Sequence, residues 1–393
     1  QMDIEKFKNS PTGRLIKTPT NYWAFVPNPL PPAGLDKFSA EFVGILSEAD
    51  RGIGVLKSLS KLLPNPNLLV APYVRKEAVQ SSRIEGTQAS LSDIFYYEAS
   101  KEKPKHPDVL EVLNYVRAMN YGLSRLKGLP LSLRLVKEIH LKLMEGVRGE
   151  KMKPGEFRTT QNWIGPPGCS LTDATYVPPP VPEMNEALTQ WEKFLHSDNS
   201  IPPLIKCALI HYQFEAIHPF LDGNGRTGRL LITFYLYERG YLEHPILYPS
   251  DFFERYRNEY YDLLLGVSRE GNWDAWLKYF IRGVAEQSKV AEETGHKILD
   301  LQKKYHQRLQ KESVSTSVFQ LLDMLFLNPF VSLPGISEYL KITWPTAKAS
   351  VEHLVKFGIL KEVSGRKRSR IYCAEELLNI LGEDFERRKQ EIK

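Results

Sequence analysis

Apolar positions recur every three or four residues over most of the chain, the period of helices that each bury one stripe. Leu110, Leu113, Val116, Met119, Leu123 and Leu126 form one stripe, and a second runs from Leu131 to Glu145, where Gly146 stops it. The same spacing predicts helices over 35–63, 74–85, 182–195, 204–217, 226–238, 251–267 and 273–311. Ser90-Leu91-Ser92-Asp93 has the spacing of a capping box, and the charged stretch from Glu98 to Lys105 reads as a loop. Residues 1–34, rich in proline, asparagine and aromatics, predict an extended arm whose aromatics anchor it. Residues 155–180 break the rhythm with glycines, prolines and the polar run from Arg158 to Asn162, which predicts a hairpin or ordered loop.

Past a composition shift at 311–316 the helical runs shorten. Three short helices are predicted over 318–327, 336–340 and 345–357, then two strands, 358–363 and 371–373, around a basic tip from Ser364 to Arg370. That order predicts a winged helix-turn-helix over 315–381. Lys348, Arg366, Lys367, Arg368 and Arg370 are its expected DNA contacts, with a protein partner an equal alternative. The expected fold class is mainly α, with a small β-hairpin or ordered loop and the C-terminal winged helix. The expected domains are 1–106, 107–312 and 313–393.

Composition narrows this picture only a little. With 393 residues, 42% hydrophobic and 25% charged, the chain buries sizeable cores in two or three domains. A net charge of +5 is too small to mark a nucleic-acid protein by itself. Cys169, Cys207 and Cys373 form no C-x-x-C, which argues against a disulfide framework or zinc site and favours a reducing cytoplasm. No apolar run approaches the roughly 20 residues that span a bilayer, so no membrane partner is expected.

The densest chemistry lies in His218-Pro219-Phe220-Leu221-Asp222-Gly223-Asn224-Gly225-Arg226-Thr227-Gly228-Arg229. The glycines let consecutive N–H groups turn toward one anion, and the helix predicted to start there aims its N-terminal dipole at the same place. Arg226 and Arg229, three apart, share a helix face. His218 carries an imidazole, a base near neutral pH, and Asp222 supplies hard oxygen for Mg²⁺. The stretch also fits G-x-G-x-x-G, but the helical pattern of 204–217, in place of a strand, excludes the dinucleotide reading. His211, in that helix, reads as a core histidine with no role.

This stretch resembles the signature of the Fic family, H-x-F-x-[DE]-G-N-G-R-x-x-R, at every required position. Ser81-Ser82-Arg83-Ile84-Glu85-Gly86 is similar to that family's inhibitory pattern, [ST]-x-x-x-E-[GN], and the likeness spans roughly 20–290. The resemblance implies a helical bundle and transfer of AMP from ATP to a Ser, Thr or Tyr hydroxyl of a protein target, including the chain itself. Removal of AMP by the same site is the rival reaction, and a DNA-binding regulator acting through the winged helix is the rival class. By resemblance, His218 is the general base and Asp222 the Mg²⁺ ligand. Gly223, Asn224, Gly225, Arg226, Thr227, Gly228 and Arg229 hold the nucleotide phosphates, and Tyr260 touches its base. Glu85, with Ser81 and Gly86 in its motif, pairs with Arg229 and blocks the γ-phosphate. Trp163 and Ile164 belong to a flap that aligns the target, and a homodimer is compatible with all of this.

Overall fold

Helix accounts for most of the chain, as the period of its apolar residues predicts. The computed structural model describes residues 2–382 except 36, 37, 63, 64, 105, 150 and 199. Residue 63, where the helix expected over 35–63 ends, and the loop end expected at Lys105 lie outside the described residues. The chain divides into two compact units. One comprises the N-terminus to Gly54, Asn114–Glu243 and Leu247–Gln287; the other comprises Val55–Leu113, His244–Ile246 and the chain from Ser288 onward.

The first unit is built around helix Pro203–Ile217, in which almost every side chain is buried. A helix buried on nearly all sides has no solvent face, so it takes the middle of a bundle. Helices Val181–His196 and Asn224–Glu238 pack against it. Two indoles tie the bundle together: Trp191 donates to the Ile210 carbonyl at 3.0 Å and Trp276 to that of Ala208 at 3.1 Å. The helix predicted over 251–267 is two helices, Ser250–Arg255 and Arg257–Glu270, broken at Tyr256, whose φ of −108° and ψ of 40° leave the helical region.

The N-terminal arm corrects an expectation. It forms a short helix, Ile4–Lys8, and a two-stranded antiparallel hairpin, Gly13–Lys17 with Trp23–Pro27. The apolar strand 23–27 finds a partner in 13–17, which a reading based on proline content overlooks. Its aromatics do anchor it: Phe7, Phe25 and Tyr176 form a ring cluster with centroids 5.4 to 6.1 Å apart, and the Phe25 N–H donates to the Val177 carbonyl at 2.9 Å. Residues 155–180 are an ordered loop with one antiparallel bridge, Ile164 to Tyr176, and a 3₁₀ turn at Leu171–Asp173. Prolines on both sides of the bridge withhold the N–H donors that a longer hairpin needs.

In the second unit, helix Asn67–Ile84 starts two turns earlier than predicted and runs through Pro72. It ends as expected, with Glu85 at the C-cap and Gly86 at φ +98°. The capping box is present: Ser90 Oγ accepts the Asp93 N–H and the Asp93 carboxylate accepts the Ser90 N–H. The helix it opens, Leu91–Ser100, extends into the stretch read as loop, because Arg75 holds Glu98 in a bidentate pair at 2.7 and 2.9 Å.

The C-terminal part of this unit has helices Thr316–Leu327, Leu333–Leu340 and Trp344–Lys356 and a three-stranded antiparallel sheet. The central strand, Ile371–Cys373, pairs with Lys361–Glu362 and with Phe330–Ser332. Phe330–Ser332 is a third strand that three residues between two helices were too few to reveal. Asn328 Nδ2 donates to the Phe95 carbonyl at 3.1 Å and Ser332 Oγ to that of Ala99 at 2.9 Å, so this part rests on helix Leu91–Ser100. Among the described residues no helix is long and apolar enough to cross a membrane.

Candidate active site

The signature stretch begins where helix Pro203–Ile217 stops. His218 caps it at φ +50° and ψ +61°, a left-handed conformation that costs a non-glycine residue roughly 1–2 kcal/mol. Two side chains hold the strained turn: Arg158 Nε and Asn162 Nδ2 each donate to the His218 carbonyl at 3.0 Å. Arg158 also donates to Pro179 at 2.5 Å, and its backbone N–H donates to Pro219 at 2.8 Å. Burial draws the Arg158 guanidinium down to about 10, so it stays charged at neutral pH.

The imidazole of His218 donates through Nδ1 to the Glu215 carbonyl at 3.2 Å, which assigns the proton to Nδ1 and makes Nε2 the basic nitrogen. Next, Asn224 braces the loop. Its Oδ1 accepts the Phe220 N–H and its Nδ2 donates to the Phe220 carbonyl, both at 2.8 Å. The Asn224 side chain, a predicted phosphate contact, is therefore engaged with its own loop. Thr227 braces too, donating through Oγ1 to the Gly223 carbonyl at 2.8 Å.

Gly223 takes φ +78° and opens helix Asn224–Glu238. Its N–H donates to Asp222 Oδ1 at 2.7 Å, which fixes the plane of that carboxylate. His218, Asp222 and Gly225 are half-buried, while Gly223, Asn224, Arg226, Thr227, Gly228 and Arg229 are buried. A half-buried base and a half-buried carboxylate thus sit on the loop that leads into a helix N-terminus, and two buried arginines follow in the first turns of that helix. Among the described residues no cluster of three His, Cys, Asp or Glu side chains is placed to hold a metal. A single carboxylate suits Mg²⁺, which takes its other ligands from water and phosphate.

Sequence reasoning missed three residues here. Arg158 and Asn162 belong to the polar run 158–162, whose polarity inside a loop is the signal that points to them. His140 was hidden in the stripe 131–145. It lies on helix Leu133–Met144, accepts the Gly155 N–H through Nδ1 at 2.8 Å, and meets the Asp222 carbonyl through Nε2 at 2.9 Å. Burial, helped by the charge of Arg226, lowers it to about 4.

His211 is buried, as expected, and spans Gly228 and Tyr260: Nδ1 donates to the Gly228 carbonyl at 3.1 Å, so Nε2 accepts the Tyr260 hydroxyl at 2.8 Å. Burial lowers its imidazole to about 3. Tyr260, predicted at the nucleotide base, is itself buried, stacked on Phe253 with centroids 5.0 Å apart. Trp163 and Ile164, the predicted flap residues, are exposed, and Ile164 uses its N–H and carbonyl in the bridge to Tyr176.

In the second unit, Ser81 is buried near the end of helix Asn67–Ile84, Glu85 is half-buried, and Gly86 is exposed. Lys348 lies on the exposed side of helix Trp344–Lys356, and Arg366, Lys367, Arg368 and Arg370 are exposed at the sheet tip. Arg366 forms a two-pronged pair with the Glu102 carboxylate.

Comparison with known proteins finds likeness to the Fic/DOC family. The model of the Fic/DOC family N-terminal region matches residues 44–124 and that of the Fic/DOC family matches residues 130–236. A protein from Drosophila grimshawi named protein adenylyltransferase Fic is 32% identical over 179 residues, 45% of this chain and 32% of the relative. The chain thus spans about a third of that relative's length. Among solved structures, a Fic family protein from Desulfovibrio desulfuricans G20 aligns at 18% identity with a TM-score of 0.55, covering 86% of this chain and 97% of its own. A Fic domain containing signaling protein from Bacteroides thetaiotaomicron VPI-5482 aligns at 19% identity with a TM-score of 0.51, covering 63% and 97%. Both are likenesses of fold.

Proposed function

The chain belongs to the Fic/DOC family, and from that premise we propose that it is a protein adenylyltransferase restrained by Glu85. The observation that carries the reading is the geometry at His218, whose Nδ1–H is held by Glu215 so that Nε2 is basic, on the same loop as a carboxylate that the Gly223 N–H orients at the start of helix Asn224–Glu238. His218 takes the proton from a hydroxyl of the target as its oxygen attacks the α-phosphorus of ATP. The bond to the β-phosphate breaks and pyrophosphate leaves. A base so placed contributes about 10²–10⁴ in rate.

Positive charge answers the charge that develops. Arg226 and Arg229 bind phosphate oxygens, and the backbone N–H groups at the start of helix Asn224–Glu238 stabilise the transition state electrostatically. Asp222 is the residue that would hold Mg²⁺, which when bound would neutralise phosphate charge. Asn224 and Thr227 serve by bracing the turn. Trp163 and Ile164 offer the exposed surface for an extended target, whose backbone pairs beyond Ile164 because that residue is already bridged.

The test is direct. Wild type, Glu85→Gly and His218→Ala are incubated with Mg²⁺ and ATP labelled at the α-phosphate, and protein-bound label is counted. Glu85→Gly gains label over wild type and His218→Ala has none; equal label in the two variants sinks the proposal.

A second reading concerns residues 315–381, which we read as a winged helix-turn-helix that contacts DNA. In its favour, helices Leu333–Leu340 and Trp344–Lys356 are joined by a tight turn at Lys341-Ile342-Thr343, and a basic tip follows on the sheet.

A further inference from the structure

We propose that His140 is a positioning residue for the reacting loop, acting on the metal-binding carboxylate through the peptide that joins Asp222 to Gly223. This rests on the reading of the signature stretch as a nucleotide site.

The peptide between Asp222 and Gly223 is the loop's least constrained link on chemical grounds, since glycine tolerates either sign of φ and the peptide plane can turn over. Both of its ends are tied. Its N–H donates to Asp222 Oδ1 at 2.7 Å, and its carbonyl is 2.9 Å from His140 Nε2. The tautomer follows from the other ring nitrogen: Nδ1 accepts the Gly155 N–H at 2.8 Å, so the proton sits on Nε2 and is donated to the Asp222 carbonyl. The ring has no freedom to swing, because it lies parallel to that of Phe220 with centroids 3.7 Å apart.

One helical turn further on, Met144 reinforces the same contact. Its Sδ is 3.6 Å from the Arg226 guanidinium. A methyl group on Gly223 would come within 2.8 Å of Met144 Sδ and 3.2 Å of His140 Nε2. Helix Leu133–Met144 therefore presses two side chains, four apart, against the turn that carries Asp222. Losing the His140 donor lets the peptide turn, frees Asp222 Oδ1 from the Gly223 N–H and removes the fixed aim of the carboxylate.

The experiment uses the full chain carrying Glu85→Gly and His218→Ala, so that nucleotide is not consumed, and reads Mn²⁺ bound in the presence of ATP by electron paramagnetic resonance. His140→Ala weakens Mn²⁺ binding about tenfold or more, the usual cost of losing a group that orients a metal ligand. His140→Gln, whose amide N–H reaches the place of Nε2, retains most of the affinity. His140→Asn, which reaches only the place of Nδ1, does not. Equal Mn²⁺ affinity in all three variants and the parent, or equal losses in the Gln and Asn variants, overturns the proposal. Label transfer by the Glu85→Gly protein with His218 intact judges the nucleotide reading separately, since its failure leaves the order of Mn²⁺ affinities to stand or fall alone.

Discussion

A single backbone angle shows how much the site depends on individual residues. Gly223 sits at φ +78° with its Cα facing Met144 and His140. Gly223→Ala incurs about 1–2 kcal/mol of left-handed strain, and its methyl also displaces both neighbours. The expected outcome in the Glu85→Gly background is loss of AMP transfer by more than about tenfold with a lowered melting temperature. Unchanged transfer would show that the turn tolerates a Cβ and that its geometry is not needed. His218 occupies the same left-handed region without a glycine's freedom, and the donors from Arg158 and Asn162 are what hold it there.

Among the elements, helix Pro203–Ile217 links the core to the site, because His211 in its middle and His218 at its end both serve the signature helix. His211 faces the Gly228 carbonyl, the Tyr260 hydroxyl and the charge of Arg229, within rings from Phe253, Trp276 and Phe280. Its imidazole falls to about 3 in the fold from 6.5, so the unfolded chain binds the extra proton between those values. The stabilisation is complete above pH 6.5 and is lost as pH falls toward 3, at about 1.4 kcal/mol per unit for one group. Thermal melts from pH 7.5 to 5 should thus decline less steeply in His211→Gln than in wild type; parallel slopes would remove His211 as the source.

Across the molecule, the second unit joins helix Asn67–Ile84, which ends at Glu85, to the C-terminal helices and sheet. Glu102 grips Arg366 as a phosphate oxygen would, while Lys101 pairs with Glu338 at 2.6 Å. On the DNA reading, Glu102→Gln raises affinity for duplex DNA a few-fold at low salt, and Arg366→Gln lowers it and reduces the salt slope by about one. Fluorescence anisotropy across a salt series measures both. Binding that neither variant changes means that the tip lies off the interface.

Much of this was legible in the chain. Periodicity located the helices, Gly86 and Gly146 their ends, and Ser90 with Asp93 a cap, because each is dictated within a few neighbouring residues. The signature stretch announced its chemistry for the same reason, with base, carboxylate, glycines and arginines in twelve consecutive positions from His218 to Arg229. What no local pattern contains is a partner from elsewhere. The pairing of 13–17 with 23–27, the strand Phe330–Ser332, the clamp of Arg158 and Asn162 on His218 and the donor from His140 all join residues that sequence spacing leaves unrelated. The sequence by itself determined which groups are available to the proposed chemistry, and only the tertiary structure decided what holds them still, since a hydrogen bond needs its two atoms within about 3 Å and folding alone brings distant atoms that close.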